Sequence, residues 1–284
     1  MPIDLAIPSG ATIVLWVEDS LTREYLRSLW GNSAGITFRL GGGNDGVRAI
    51  VKAFEEEGYP NVFGLTDRDF RPSNHEGWMT PSRTFRTFVL PVHEIENYLL
   101  DANALQASRY QNRRLDVTAI QARMNSAAER LCWWAACREV IAELKRRFRE
   151  PFVADPGQSV VDHSTAREHI CQSTWFLKLT DEATRSAVGD IHALLDAQHI
   201  LARGRLADGS WRQDFAGKEI LRDVAGWMCE RPRDRPFPSD PVFFADLAKE
   251  VGTWQLAREM VPPDLSELLT ALKARITPPP DRGQ

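Results

Sequence analysis

Two short apolar runs, each closed by acidic side chains, restrict this chain more than any other feature. Ile13 to Val17 is followed by Glu18 and Asp19, and Val62 to Leu65 is followed, after Thr66, by Asp67, Arg68 and Asp69. Four to six apolar residues without polar alternation read as strands buried on both faces, as in a parallel sheet covered by helices. In an open α/β sheet, ligands bind outside the carboxyl ends of the strands. Carboxylates gathered there are hard oxygen donors suited to holding Mg²⁺ or Mn²⁺ against phosphate. Taken one at a time, Asp19, Asp67 and Asp69 also read as helix caps or turn residues, roles that Asp favours.

The neighbouring segments alternate in kind. Thr22 to Trp30 has an apolar helical face made with Leu21, Tyr25, Leu26 and Leu29; Ile36 to Leu40 is a second strand. Gly41 to Gly46 reads as a turn and Val47 to Glu57 as a helix, before the strand at Val62 to Leu65 and a fourth at Thr87 to Leu90. This order predicts a parallel α/β sheet with right-handed crossovers. After Pro91 strand signals fade. Glu94 to Leu100, Val117 to Arg149, Ser164 to Leu179, Glu182 to Leu201, Lys218 to Met228 and Leu265 to Ile276 read as helices. Gly204 to Gly217 reads as a loop, Arg231 to Pro238 as an extended linker, and Pro278 to Gln284 as a frayed tail.

Composition removes several function classes. The net charge of −4 gives no global positive field for nucleic acid, so any such contact must use local clusters. Candidates are Arg109, Arg113 and Arg114; Lys145 to Arg149; and Arg203, Arg205 and Arg212, although each also reads as a solvated face. Cys132, Cys137, Cys171 and Cys229 lack zinc spacing and read as packing residues. No apolar run reaches membrane-spanning length and the first residues do not follow a signal-peptide pattern, so cytoplasmic residence without a membrane is expected.

A strand ending in Glu18, then a later strand ending in Asp67 and Asp69, resembles the Toprim signature shared by topoisomerases, bacterial primases and the OLD-family nucleases. Val92 to Leu100, with Glu94, Glu96, Asn97 and Tyr98, is similar to a segment of stand-alone Toprim proteins found beside ABC-type ATPases in anti-phage systems, including the PARIS type. Trp211 to Leu221, with Gly217 and Lys218, resembles a later segment of the same proteins. The resemblance implies a Toprim-type sheet over 1–100, a helical insertion over 101–210, a return to the core over 211–230 and a C-terminal helical extension over 231–284. It implies a Mg²⁺- or Mn²⁺-dependent nuclease acting on DNA or RNA, including tRNA, controlled by an ABC-type ATPase partner. A homo-oligomer is compatible with it.

By position, Glu18 would be a metal ligand or proton carrier, Asp67 and Asp69 metal ligands, Glu96 an accessory ligand or orienter, and Lys218 a cation beside the scissile phosphate. The plain alternatives are a solvated helix-start lysine for Lys218 and a dipole-favoured helix acid for Glu96. Many relatives carry a second acid where this chain has Thr22, which puts a two-metal site in doubt. The Trp-rich stretch around Trp133, Trp134 and Trp175 is the expected contact surface for the ATPase.

Two rival readings remain open. One is a catalytically idle Toprim module that only binds the ATPase. The other is a receiver-like regulator with Asp67 as phosphoryl acceptor, against which the fourth strand ends in Leu90 and Pro91 with no Ser or Thr.

Overall fold

The computed structural model describes residues 13–31, 35–69, 86–111, 113–148, 156–178, 189–229 and 240–276. Strands β1 (Ile13–Val17), β2 (Ile36–Leu40), β3 (Val62–Thr66) and β4 (Thr87–Val89) form one all-parallel sheet in the order β2-β1-β3-β4. The α/β class and the parallel sheet are those expected. β1 and β3 are buried throughout because both faces are covered. On one face Val14, Trp16 and Val62 pack against Val47, Ile50, Val51 and Phe54 of α2 (Asn44–Glu56). On the other, Ile13, Leu15, Val17, Phe63 and Leu65 join the main core with Tyr25, Leu26 and Leu29 of α1 (Ser20–Trp30).

Glycine explains why α2 begins earlier than the periodicity suggests. Asn44, Asp45 and Gly46, expected in a turn, lie in the helix. A Cβ at Gly46 would stand 2.1 Å from the Gly41 carbonyl oxygen, so only glycine lets this helix start so close to the end of β2.

The remaining elements are helical. Ile95–Leu99 forms a 3₁₀ turn, followed by α3 (Ala102–Ala107), α4 (Val117–Arg130) and α5 (Cys132–Phe148). The region read as one helix from Val117 is thus broken at Leu131. Next come α6 (His163–Cys171), α7 (Thr174–Lys178), α8 (Ile191–Asp208), α9 (Trp211–Asp214), α10 (Gly217–Met228), α11 (Asp240–Ala257) and α12 (Pro263–Ile276). The loop expected over Gly204 to Gly217 is mostly helix: α8 runs through Gly204 and stops at Gly209, which takes the left-handed conformation that ends helices. The expected linker over 231–238 and tail over 278–284 lie outside the described residues, as do residues 179–188. Among the described residues, no helix is long and apolar enough to cross a membrane.

Helices α5, α6 and α8 share a smaller core of their own around Cys137, Ile141, Leu144, Ile170 and Leu195. α11 packs along α1, where the Tyr25 hydroxyl donates to Gln255 Oε1 at 2.8 Å. The chain returns to the sheet at residues 212–217, and a buried amide fixes that return. Asn97 Nδ2 donates to the carbonyls of Arg212 and Phe215, each at 2.9 Å, while Asn97 Oδ1 accepts from the Glu94 N–H at 3.0 Å. Gly217 then passes so close that a Cβ there would lie 2.6 Å from Asn97 N.

Gly217→Ala is therefore expected to destabilise the protein by about 1–3 kcal/mol through overpacking. Gly204 sits exposed in mid-helix with nothing within 4 Å of an added Cβ, so Gly204→Ala is expected to stabilise by about 0.5–1 kcal/mol. Urea titration of both variants measures the contrast; equal and opposite signs to these would contradict the close packing at Asn97.

Candidate functional site

The strand order reverses around β1, with β2 on one side and β3 on the other, and such a switch opens a crevice at the carboxyl ends of the strands. Val17 is paired with Leu65, so Glu18 and Asp67 leave neighbouring strands side by side. The Asp67 N–H donates to Glu18 Oε1 at 2.9 Å, and Asp67 Oδ1 accepts from the Ile95 N–H at 3.1 Å. Each carboxylate thus spends an oxygen on the backbone and is held in place by it.

The electrostatics of this corner are dominated by uncompensated acid. Burial raises the Asp67 pKa well above the usual carboxylate range, and the charges of Glu96, Glu18, Glu94 and Asp69 raise it further. Glu18 is also raised, first by burial, against the opposing Asp67 N–H; Asp69 and Asp19 add to the rise and Arg48 opposes it. Glu96 is 5% exposed and is pushed up to about 8 by burial, with Glu94 and Asp19 contributing. Glu94 is raised by burial and relieved by the Lys218 N–H, Arg138 and Lys218.

Glu18, Asp67 and Glu96, read from the sequence as site residues, are therefore close enough to feel one another, with Glu94 among them. Asp69 stands differently. β3 stops at Thr66, so the alternation of an extended chain does not carry from Asp67 to Asp69. Asp69 takes a left-handed φ of 50° and is exposed. Asn44 Nδ2 lies 3.4 Å from its Oδ2, and Arg138 Nη2 lies 3.9 Å from its Oδ1. Lys218 opens α10: its N–H donates to Glu94 Oε1 at 2.6 Å, and its exposed side chain lines a cavity with Asp19 and Glu96. The helix start thus meets a carboxylate, as its dipole favours. Asp19 caps α1, accepting from the Thr22 N–H at 2.8 Å, and Thr22 itself is buried.

Several residues of the site carry no motif. Arg68, between the two aspartates, is 4% exposed; it donates to the carbonyls of Pro91 and Gln213 and pairs with Asp214 at 2.5 Å. His93 is buried, and Arg138 Nη1 lies 2.9 Å from its Nδ1. A guanidinium only donates, so Nδ1 accepts and the imidazole is neutral with its proton on Nε2. Burial, with Arg138 and Arg68 nearby, drives the His93 pKa well below its usual value. His93 therefore acts as a polar spacer that carries Arg138 towards Asp69. The spacing of Trp134 and Arg138, one helical turn apart with the guanidinium over the indole at 5.1 Å, was the available signal.

In the basic clusters, Arg109 is paired with Glu250 at 2.6 Å, Arg203 with Glu129 at 2.9 Å and Arg205 with Asp214 at 3.3 Å, and the side chains of residues 145–149 lie outside the described residues. The expected aromatic contact surface needs correction. Trp134 is buried, with Nε1 donating to the Pro156 carbonyl, and half-buried Trp133 stacks on His199 at 3.8 Å. Trp134 therefore serves the core and offers no contact surface; the Trp175 side chain lies outside the described residues. Cys132, Cys137 and Cys229 are buried free thiols, as packing residues would be.

Among the described residues, no group of three or more His, Cys, Asp or Glu side chains converges closely enough to hold a metal ion alone. The donor set still suits a hydrated hard cation. Mg²⁺ keeps several waters and takes only one or two protein carboxylates, and Glu18 and Asp67 each retain an oxygen not used by these backbone bonds. No protein-family model matches this chain, and no curated protein matches it.

The crowded acids make stability depend on pH in a stated direction. A carboxyl whose folded pKa lies above its unfolded value binds more protons when folded, so stability falls as pH rises between the two values. For Glu96 that window runs from 4.5 to about 8. The melting temperature of protein in EDTA is expected to fall between pH 5 and pH 8, and Glu96→Gln to flatten that slope. Mg²⁺ or Mn²⁺ is expected to raise the melting temperature more at pH 8 than at pH 5.5; a metal effect independent of pH would count against these acids as the binding group.

Proposed function

We propose that this protein is a divalent-metal-dependent nuclease that hydrolyses phosphodiester bonds in nucleic acid. The observation that carries the reading is the crowding of Glu18, Glu94, Glu96 and Asp69 around Asp67 at the strand switch. Acids packed together without an equal number of cations destabilise the protein, so their retention at a ligand-binding edge points to a cation and its phosphate. A bound Mg²⁺ or Mn²⁺ would polarise a phosphate and make a bound water more acidic. Glu18 and Asp67 would hold it through their free oxygens, with Glu96 beside them. Asp69, exposed at the rim, orients through water or moves inward. Lys218 and Arg138 stand outside the acids and offset negative charge that grows on the phosphate in the transition state.

The resemblance drawn from the sequence extends this reading to a cytoplasmic anti-phage effector restrained by an ABC-type ATPase. One observation favours the alternative of an idle module: no three acids among the described residues converge on a metal position. The two readings part in a single assay. Purified protein is incubated with total cellular nucleic acid and Mg²⁺ or Mn²⁺, with and without any ABC-type ATPase that co-purifies with it from its host, and the ends are mapped. Asp67→Asn and Glu18→Gln are expected to lower cleavage at least about a hundredfold, roughly 2.7 kcal/mol in the barrier. Thr22→Ala, in the core under α1, is expected to leave turnover near wild type. Cleavage that persists in EDTA, or in both acid variants, would remove the nuclease reading.

A further inference from the structure

Beside the acids, and sharing Glu96 and Lys218 with them, lies a cavity whose apolar wall the cleavage chemistry does not use. It measures about 250 Å³ and opens between the start of α1, the first turns of α10 and the start of α11. Leu21, Leu221, Pro241 and Phe244 form its apolar wall, and Lys218 and Arg222 supply two cations at the same cavity. Leu21 and Leu221 belong to the main core, so this wall is fixed; Phe244 is half-buried and packs edge-on against Phe243, with ring centres 5.0 Å apart. Among the described residues, Lys218 has no ion-pair partner and Arg222 has only the half-buried Glu219 of its own helix at 3.2 Å.

Glu96 gives the cavity a polar end. It is more than nine-tenths buried and lines this space; its carboxyl accepts from its own backbone N–H, and no other described residue hydrogen-bonds it. A carboxyl has about four acceptor positions, so it keeps capacity at the cavity for a donor supplied from outside. The partner must therefore present an apolar flat body, a hydrogen-bonding edge and a negative charge.

We propose that this cavity seats one unpaired nucleobase of the nucleic-acid substrate, with Phe244 against its face and Lys218 and Arg222 on its phosphate. This rests on reading the adjacent acids as the cleavage site. A base pair in a duplex cannot enter so small a space, so the substrate is single-stranded there or releases the base from its stack. Base–aromatic contact is the sequence-tolerant part of such a site. Glu96 and Asp19 add selectivity, because carboxyl oxygens accept from exocyclic amino groups. Adenine and cytosine are therefore preferred over uracil.

Binding can be read without cleavage. The full-length protein in EDTA is titrated with AMP, CMP, UMP and ribose 5-phosphate, followed by saturation-transfer NMR and calorimetry. AMP and CMP are expected to bind through their base protons, with UMP weaker and ribose 5-phosphate at least about tenfold weaker than AMP. Phe244→Leu keeps the packing volume and is expected to weaken AMP about fivefold or more. Arg222→Glu, on the surface, tests the phosphate end without relying on Phe244 and is expected to weaken all four probes. Ribose 5-phosphate binding as tightly as AMP, or AMP affinity unchanged in both variants, would overturn the proposal. AMP binding with no cleavage under any metal would remove the nuclease and leave the pocket; cleavage with unaltered variants would do the reverse.

Discussion

A buried guanidinium holds the site together. Arg68 leaves the end of β3, reaches the Pro91 carbonyl beyond β4, and meets the Gln213 carbonyl and the Asp214 carboxylate on the returning chain. Taking such a charge out of water costs several kcal/mol unless its donors are matched. Here two carbonyls and one carboxylate take its terminal nitrogens, Nε alone is left without a hydrogen-bond partner among the described residues, and Arg205 supports Asp214 from α8. The same residue therefore fixes the positions of Asp67 and Asp69 on either side of it and of the segment that leads into α10. Asn97 repeats the arrangement one turn away with neutral groups, bonding the Arg212 and Phe215 carbonyls. Segments more than a hundred residues apart are thus joined by polar bonds in a dry place, where a wrong pairing leaves a buried group unsatisfied.

Only part of this was legible in the sequence. Apolar runs ending in acids located β1 and β3 to within a residue, because burial on both faces leaves an unbroken signal. Helix boundaries were less legible where glycine lies inside a helix and not in a turn. Gly46 lies inside α2 because the Gly41 carbonyl needs its space, and Gly204 lies inside α8, whose stop comes only at Gly209. At the site, Glu18, Asp67 and Glu96 were found from strand ends and motif resemblance. The roles of Arg68, Asn97, His93 and Arg138 were not legible, because their meaning lies in partners distant along the chain. Asp69 reaches the same corner although its left-handed backbone breaks the extended run that β3 would have continued.

The placement of cations follows from the same crowding. Arg48 lowers the pKa of Glu18, Arg138 that of Glu94, and Lys218 those of Glu94 and Glu96, and in each case burial outweighs them. Arg138 is kept at 3.9 Å from Asp69 by its bond to neutral His93. Had His93 been charged, it would repel Arg138 and compete for the same acids; burial prevents that. A cation inside the cluster would neutralise it and relieve the strain on folding, but it would also fill the space. With burial outweighing the neighbouring cations, the acids keep raised pKa values at the cost of stability. The Lys218 side chain then faces two regions at once: the Glu94 and Glu96 carboxylates whose charge it moderates, and the apolar cavity that it lines with Leu221 and Phe244. A phosphate bridging those regions would find hard-cation ligands on one side and an ammonium on the other, the arrangement that opposite charges on a metal and a phosphodiester require.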